Sequence, residues 1–428
     1  MSLLEEILLS LPDGTLTPRQ HIALRNADLD PNLLPEDVGA ATAGVAPLAG
    51  WREPWDYRVG HPDHLQGPPT AVPEGLVLAT AADAAAGPLG VDAFFDEAAL
   101  FLSENYVEDV DAMFRFSYRA AHLSWGLLRG EGSAGSLDLI VALREEAAPQ
   151  RIVAFAAAAP TLLWTAGATV PCSFIDFVCV HKERRGQRLC PLLYDVLLRR
   201  LAARGISRVV KTTGSPISLP IASARYFHLP LMGPRLLACA FSHSSESAVL
   251  PVAALAGLRD LEPRDATSAL ALLDRVAERH ELSFKFSSPA HLAHVLLPRA
   301  GLVHTLVAAT GGGEVTDLVS LYLVASEITG DNPLRGEDLT VAYLYFFGGT
   351  TRSAEDLYTA AAAKARELGA DVFNALPISD MQAVLYDPDA RARLSIGLGN
   401  GCLRYFAANV ALGRGGVPSD KLFLFPGV

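Results

Sequence analysis

The chain has 428 residues, half of them apolar and 19% charged, with 35 Lys and Arg against 47 Asp and Glu and a formal net charge of −12. This composition supplies a sizeable core and excludes a wholly disordered chain; the acidic balance argues against a nucleic-acid binder and favours basic peptides or cationic ligands. The five cysteines (Cys172, Cys179, Cys190, Cys239 and Cys402) form no C-x-x-C pair, so neither a zinc site nor a disulfide framework is indicated and a reducing, cytoplasmic setting is expected.

The opening segment MSLLEEILLSLPDG carries Glu5 and Glu6 and no basic start, which predicts an amphipathic helix rather than a signal peptide. Residues 1–75 are rich in proline, with turn clusters at Gly60-His61-Pro62-Asp63 and Gly67-Pro68-Pro69, and read as an extended arm on a globular body. A helix is expected over 96–104, a structured segment from Phe114 to Tyr118, and strands over 137–143, 152–158 and 174–180. Ile152 to Ile175 contains no charge and is long enough to cross a bilayer, but Pro160, Gly167 and Pro171 interrupt it. Two buried strands joined by a loop explain it better, so no integral membrane segment is expected. A helix over 189–204 carries Leu192, Leu193, Val196, Leu197 and Leu201 on one face, and a strand follows at 209–212.

A second round begins near Gly257. It comprises a helix at 266–280, a hairpin pairing 303–309 with 318–324 across Gly311-Gly312-Gly313, and a strand at 341–347. A helix at 354–368, stopped by Gly369, and a short strand at 371–376 complete it. Each half therefore gives helix, antiparallel strands, a central strand, a long helix and another strand. The fold class is α+β, with two tandem, pseudo-symmetric halves on one plan.

The densest chemistry lies in Phe174 to Pro191, where a strand enters a basic, glycine-containing loop and a helix follows. A helix N-terminus offers unpaired N–H groups and the positive end of a dipole. Gly186 allows close backbone approach, and Lys182, Arg184, Arg185 and Arg188 add cations, which together suit a pyrophosphate. The competing reading is a basic turn on a solvated helix start. No Gly-x-x-x-x-Gly-Lys-Ser/Thr segment is present, which argues against a nucleotide triphosphatase. The pattern Arg185 to Cys190 resembles the coenzyme A loop of the GCN5-related acyltransferase superfamily.

A more specific resemblance rests on six ordered blocks. Phe174-Ile-Asp-Phe-Val-Cys-Val-His-Lys182 is similar to a signature of the glycylpeptide N-tetradecanoyltransferases, or N-myristoyltransferases. Glu104 to Tyr118, Thr212-Thr-Gly214 with Arg225-Tyr-Phe-His228, Gly313 to Asp317, Asp371 to Leu376 and Gly397 to Gly401 resemble further blocks of that family. The resemblance runs from about Glu74 to the C-terminus. It implies two GCN5-related acyltransferase-like halves around a continuous, mostly antiparallel sheet. It also implies three parts: an arm at 1–75 contributing to the coenzyme A site, an acyl-CoA half at 76–250 and a peptide-binding half at 251–428. The implied reaction transfers a myristoyl group from myristoyl-CoA, as co-substrate, to the N-terminal glycine amine of peptides and proteins. No metal and no nucleic acid takes part, and a monomer is expected.

The resemblance also implies roles. The backbone N–H groups of Phe177 and Val178 would form the oxyanion hole, and the terminal carboxylate of Val428 would accept the amine's proton. Thr212 and Asp176 would stand near that amine; Asp176 occupies a position where the family carries Asn, and a carboxylate there would ion-pair the ammonium and share the base role. Trp55, Cys179, Val180, Lys182, Arg185, Gly186, Gln187, Arg188, Leu189, Cys190 and Pro191 would hold coenzyme A. Gln187 and Glu183 replace cations there, so the grip would rest more on Arg185 and Arg188. The peptide would meet Val107, Asp109, Asp111, Phe114, Tyr118, Gly214, Tyr226, His228, His294, Tyr343, Asn374 and Gly401. Val110 and Asn400 stand where the family carries acids, which would weaken a preference for Lys or Arg along the peptide. A related acyltransferase with another chain length or a lysine acceptor, and a non-catalytic module binding acyl-CoA or peptide, remain the alternatives.

Overall fold

The computed structural model describes residues 68–88, 90–106, 113–128, 133–214, 220–251, 253–410, 412 and 416–425. In chain order the first part comprises β1 (Leu76–Thr80), α1 (Ala81–Ala86), α2 (Gly90–Asn105), β2 (Phe114–Ser117), α3 (Ala120–Leu127), β3 (Ile140–Glu145), β4 (Ala148–Thr165), β5 (Ala168–Val180), α4 (Leu189–Ala202), β6 (Val209–Thr213), β7 (Ala222–Pro230) and α5 (Gly233–Ala238). The second comprises β8 (Arg259–Asp260), α6 (Ala266–Ala277), β9 (Leu282–Lys285), α7 (Pro289–Leu296), β10 (Val303–Ala309), β11 (Val315–Ile328), β12 (Asp338–Gly349), α8 (Ala354–Glu367), β13 (Val372–Ala375), α9 (Met381–Tyr386), α10 (Pro388–Leu394), β14 (Gly397–Ala408) and β15 (Leu422–Phe423).

All these strands join one sheet, whose main path runs β1-β3-β4-β5-β6-β14-β7-β13-β12-β11-β10-β8. The two halves repeat a plan. In the first, β3, β4 and β5 form an antiparallel run and α4 crosses over to β6, parallel to β5. In the second, β10, β11 and β12 do the same and α8 crosses over to β13, parallel to β12. The closing strands are exchanged: β7 of the first half pairs β13 of the second, and β14 of the second pairs β6 of the first. Mixed pairing of this kind follows from crossover helices, which demand parallel partners, combined with hairpins, which demand antiparallel ones.

The uncharged run 152–175 folds as β4 and β5, turning at Ala166–Gly167, as expected from its breakers. Both strands extend further than the alternation suggested: they pair with each other up to the turn, Thr165 with Ala168, and β4 takes a second partner, β9, along Leu162 to Thr165. Helix α8 starts as a capping box, with the Ser353 hydroxyl accepting from the Asp356 N–H and the Asp356 carboxylate accepting from the Ser353 N–H.

Two cores flank the first half of the sheet. Phe94, Phe95 and Leu102 of α2 and Leu123 of α3 pack with Phe155, Phe177 and Cys179 on one face. Leu189, Leu192, Leu193, Leu197 and Leu201 of α4 pack with Val153, Ile175 and Val209 on the other. A larger core underlies the exchanged strands and the second half.

Candidate active site

Strands β5 and β6 pair only at Ser173 with Val209 and Phe174 with Val210. Beyond Phe174 the two strands part, and β6 turns its other edge to β14, with Thr212 opposite Tyr405. A fork thus opens in the sheet at the level of Asp176 and Thr212. Strand alternation puts Asp176, Thr212 and Tyr405 on the face of Phe174 and Val210, and Lys211 on the α4 face with Val209.

At the mouth of the fork β5 is irregular. Phe155 pairs Cys179 and Ala157 pairs Asp176, so Phe177 and Val178 together face the single residue Ala156. This is a β-bulge, and it turns backbone amides out of the ladder. Phe177 has a φ of 52°, in the left-handed region, where a non-glycine residue costs about 1–2 kcal/mol. Its ring holds that conformation: it is 1% exposed and lies edge-on to Tyr118 at 5.1 Å and tilted to Tyr106 at 5.8 Å. The Phe177 N–H donates to Oδ1 of Asp176 at 3.0 Å.

Burial raises the hydroxyl pKa of both Tyr106 and Tyr118, and the charge of Asp176 adds to the shift. Across the fork Lys211 Nζ donates to the Tyr194 hydroxyl of α4 at 2.7 Å. Burial lowers the pKa of Lys211, opposed by the charges of Cys190 and Asp176. Tyr106, Tyr194 and Lys211 were absent from the sequence-derived set. The alternation of β6 puts Lys211 on the same face as Val209, but only the packing of α4 on that face marks it as part of the site.

The basic loop begins where β5 ends. Its backbone is pinned to α2: the Lys182 N–H donates to Asn105 Oδ1 at 3.1 Å, and Arg185 Nη2 donates to the Asn105 carbonyl at 2.9 Å. Arg184 donates to Glu145 at 2.7 Å. Gly186 has a φ of 82° and Arg188, preceding α4, a φ of 60°, and no side chain caps that helix start. The first-turn N–H groups of Leu189 and Cys190 therefore point toward the exposed loop, while Pro191 has none to satisfy. Lys182, Arg185, Gly186, Gln187 and Arg188 are exposed. Burial pushes the Cys179 thiol up to about 12 and raises Cys190, so both act as packing groups rather than thiolates. Val180 ends the strand beside them.

On the second half an aromatic wall continues from the fork. Tyr343 stacks on Tyr322 at 5.0 Å and meets Tyr226 at 5.8 Å and Phe116 at 6.5 Å; Phe116 in turn meets Tyr118 at 5.9 Å. His228 Nδ1–H donates to Asn374 Oδ1 at 2.6 Å, and Asn374 also hydrogen-bonds the Tyr343 hydroxyl. Burial lowers the pKa of His228, so it is neutral near pH 7, with Nε2 as an acceptor. Phe241 packs edge-on to both His228, at 5.2 Å, and Phe114, at 5.6 Å. Gly399 lies so close that a Cβ would sit 2.1 Å from His228 Nε2, and Gly401 borders Tyr226. The carbonyl of Gly214 accepts from Arg404. His294 stands apart from this set: Nε2 meets the Trp125 carbonyl at 3.0 Å and Nδ1 meets Arg299 at 3.4 Å, so its ring ties α3 to α7.

Trp55, Val107, Asp109, Asp111 and Val428 lie outside the described residues. The last described residues give the direction of the chain near its end. Strand β15 runs parallel to β9, which is antiparallel to β4, so Leu424 and Phe425 continue in the direction that β5 takes toward Asp176. Phe425 packs on Phe346 at 4.6 Å and on Tyr345 at 5.7 Å. Among the described residues no cluster of His, Cys, Asp and Glu is placed to hold a metal ion, and no helix is long and apolar enough to cross a membrane.

Comparison with known proteins agrees with this arrangement. Residues 89–224 match the family model of the myristoyl-CoA:protein N-myristoyltransferase N-terminal domain, and residues 243–422 match that of the C-terminal domain. The chain is 30% identical over 351 residues to a glycylpeptide N-tetradecanoyltransferase of Kluyveromyces lactis, covering 76% of each. It is 29% identical over 357 residues to glycylpeptide N-tetradecanoyltransferase 2 of Bos taurus, covering 81% of this chain and 68% of that one. The crystal structure of Saccharomyces cerevisiae N-myristoyltransferase with bound myristoyl-CoA superposes with a TM-score of 0.69 at 25% identity, covering 85% of this chain and 86% of that one. A two-half α+β sheet, a forked pair of central strands and matches in both halves converge on one conclusion: the chain belongs to the N-myristoyltransferase family of acyltransferases.

Proposed function

We propose that this protein transfers a myristoyl group from myristoyl-CoA to the N-terminal glycine amine of peptides. The observation that carries the reading is the bulge at Phe177 and Val178, at the mouth of the β5–β6 fork. A thioester lying in the fork would present its carbonyl oxygen to those two amides, which would stabilise the charge of a tetrahedral intermediate once the Phe177 N–H leaves Asp176. The uncapped start of α4 and the cations Lys182, Arg185 and Arg188 would take the coenzyme A phosphates, with Gly186 and Gln187 leaving room for them and Trp55 contributed by the arm. The residues at 76–250 would thus hold the acyl donor and those at 251–428 most of the peptide.

The glycine ammonium enters beside Thr212 and pairs with the carboxylate of Asp176. It loses one proton to a base before attack and a second as the C–N bond forms. The C–S bond breaks, its electron pair leaves on sulfur, and one of the two protons ends there as free CoA. The resemblance assigns the base role to the terminal carboxylate of Val428, and the course of Leu424 and Phe425 toward the level of Asp176 supports that assignment. His228, Asn374, Tyr226 and Tyr343 form the groove wall that would read the following peptide residues, and the resemblance assigns a basic one to Asp109 and Asp111.

Incubating the protein with myristoyl-CoA and a Gly-x-x-x-Ser peptide tests this. Equal amounts of free CoA and acylated peptide are expected. Thioester binding without turnover, or transfer to a lysine side chain, would reject the reading.

A further inference from the structure

We propose that Asp176 gates the oxyanion hole: without an amine its carboxylate occupies the Phe177 N–H, and the ammonium of an incoming N-terminal glycine draws it away, releasing that amide to the thioester. This rests on the reaction proposed above and adds a device that couples thioester activation to arrival of the acceptor.

The geometry supplies each part. The bulge frees the Phe177 N–H from the ladder, yet the amide is engaged at 3.0 Å by the side chain immediately before it. A hydrogen bond to a carboxylate is stronger than one to the neutral carbonyl oxygen of a thioester, so the resting state favours Asp176. An oxyanion forming at the same amide would also lie beside a carboxylate, and like charges raise each other's energy. The hole therefore lacks one of its two donors for a thioester waiting with water alone. Among the groups that feel the charge of Asp176 are Tyr106 and Tyr118 on one side and Tyr194 and Lys211 on the other. Lys211 is already hydrogen-bonded to Tyr194 on the opposite face of the sheet. An ammonium entering from the groove passes Tyr226 and Thr212 on the same face as Asp176, and so meets the carboxylate with a full positive charge. An ion pair there exchanges one strong acceptor–donor contact for another, by rotation of the Asp176 side chain. The amide left behind joins that of Val178 to complete the pair of donors that the transition state needs.

The test follows CoA release from myristoyl-CoA by the full-length protein under three conditions: no peptide, a glycine-start peptide, and the same peptide with the glycine replaced by a propionyl group, which fills the site without charge. The unaltered protein should release CoA slowly alone or with the propionyl peptide, and fast, one CoA per acylated peptide, with the glycine peptide. Asp176→Ala should raise peptide-independent release by about tenfold or more, since one oxyanion donor is worth roughly 10²–10³ in rate. Asp176→Asn keeps a weaker, uncharged acceptor, so it should leak to a smaller extent while still acylating glycine peptides. In both variants CoA released per acylated peptide rises above one. The gate is overturned if neither variant leaks faster than the unaltered protein, or if the propionyl peptide stimulates release as the glycine peptide does. The propionyl peptide has no amine to attack, so slow release with it is expected with or without the gate; stimulation there overturns the gate, and the leak of the two variants supports or rejects it. Absence of any acylated glycine peptide from the unaltered protein would instead reject the reaction itself, whereas acylation without leak in the variants rejects the gate alone.

Discussion

His228 and Asn374 make the groove wall polar without placing a charge in it. The imidazole gives Nδ1–H to the amide oxygen, and Asn374 turns its remaining capacity to Tyr343. Losing either partner leaves a buried polar atom unpaired, which costs about 1–3 kcal/mol. Asn374→Ala should therefore raise KM for a glycine peptide by about tenfold with kcat within a few-fold, as steady-state kinetics would register. A fall in kcat alone would place Asn374 at the reacting atoms instead. Gly399 is a second case, because any side chain there collides with the His228 ring and the Tyr226 carbonyl. Gly399→Ala should lower the melting temperature, consistent with overpacking penalties of about 1–3 kcal/mol. Much of this wall was legible because its residues fall in recognisable blocks. Lys211 was not: a lysine in a short strand reads as solvated surface until α4 is known to cover it and Tyr194 to meet it.

Among the elements, the turn from β5 into α4 carries the most constraint for its length. Arg188 adopts a left-handed backbone without a side-chain cap, an arrangement that favours glycine. Arg188→Gly should relieve about 1 kcal/mol of strain and raise thermal stability. The same change removes a cation from the helix start, so KM for myristoyl-CoA should rise, more steeply at low salt than at high. An unchanged KM would remove Arg188 from the phosphate grip. The strand and helix here were evident from the apolar runs and the glycine. The bulge was not, since Phe177 and Val178 alternate like any buried strand and only the pairing with Ala156 reveals two residues facing one. Strands β7 and β14 were likewise hidden, because their partners lie in the opposite half and local pattern carries no information about that.

At the scale of the molecule, buried histidines set a pH limit. Burial depresses His122, His228 and His280 below 6.5. A group whose folded pKa is lowered binds its proton more readily when the chain unfolds. Its contribution is complete above pH 6.5 and is lost as pH falls through that value toward the depressed folded one, by up to about 1.4 kcal/mol per pH unit for each histidine. Calorimetry from pH 7.5 to 5 should show a falling melting temperature, and His122→Gln should flatten the slope; a level profile would contradict the burial account. The α+β plan in two rounds was readable from the order of apolar runs, since α4 announced itself by its apolar face and α8 by the glycine that stops it. How the rounds interlock was not.

The exchange of β7 and β14 has a consequence for biosynthesis. A ribosome delivers β6 nearly two hundred residues before β14, the strand that covers its open side. Until then the nascent first half keeps a bare row of backbone amides and carbonyls, a template for pairing with a neighbouring polypeptide. Maturation should therefore resemble the closing of a clasp, late and cooperative, and a gene truncated before codon 397 should yield inclusion bodies rather than an autonomous acyl-CoA-binding fragment.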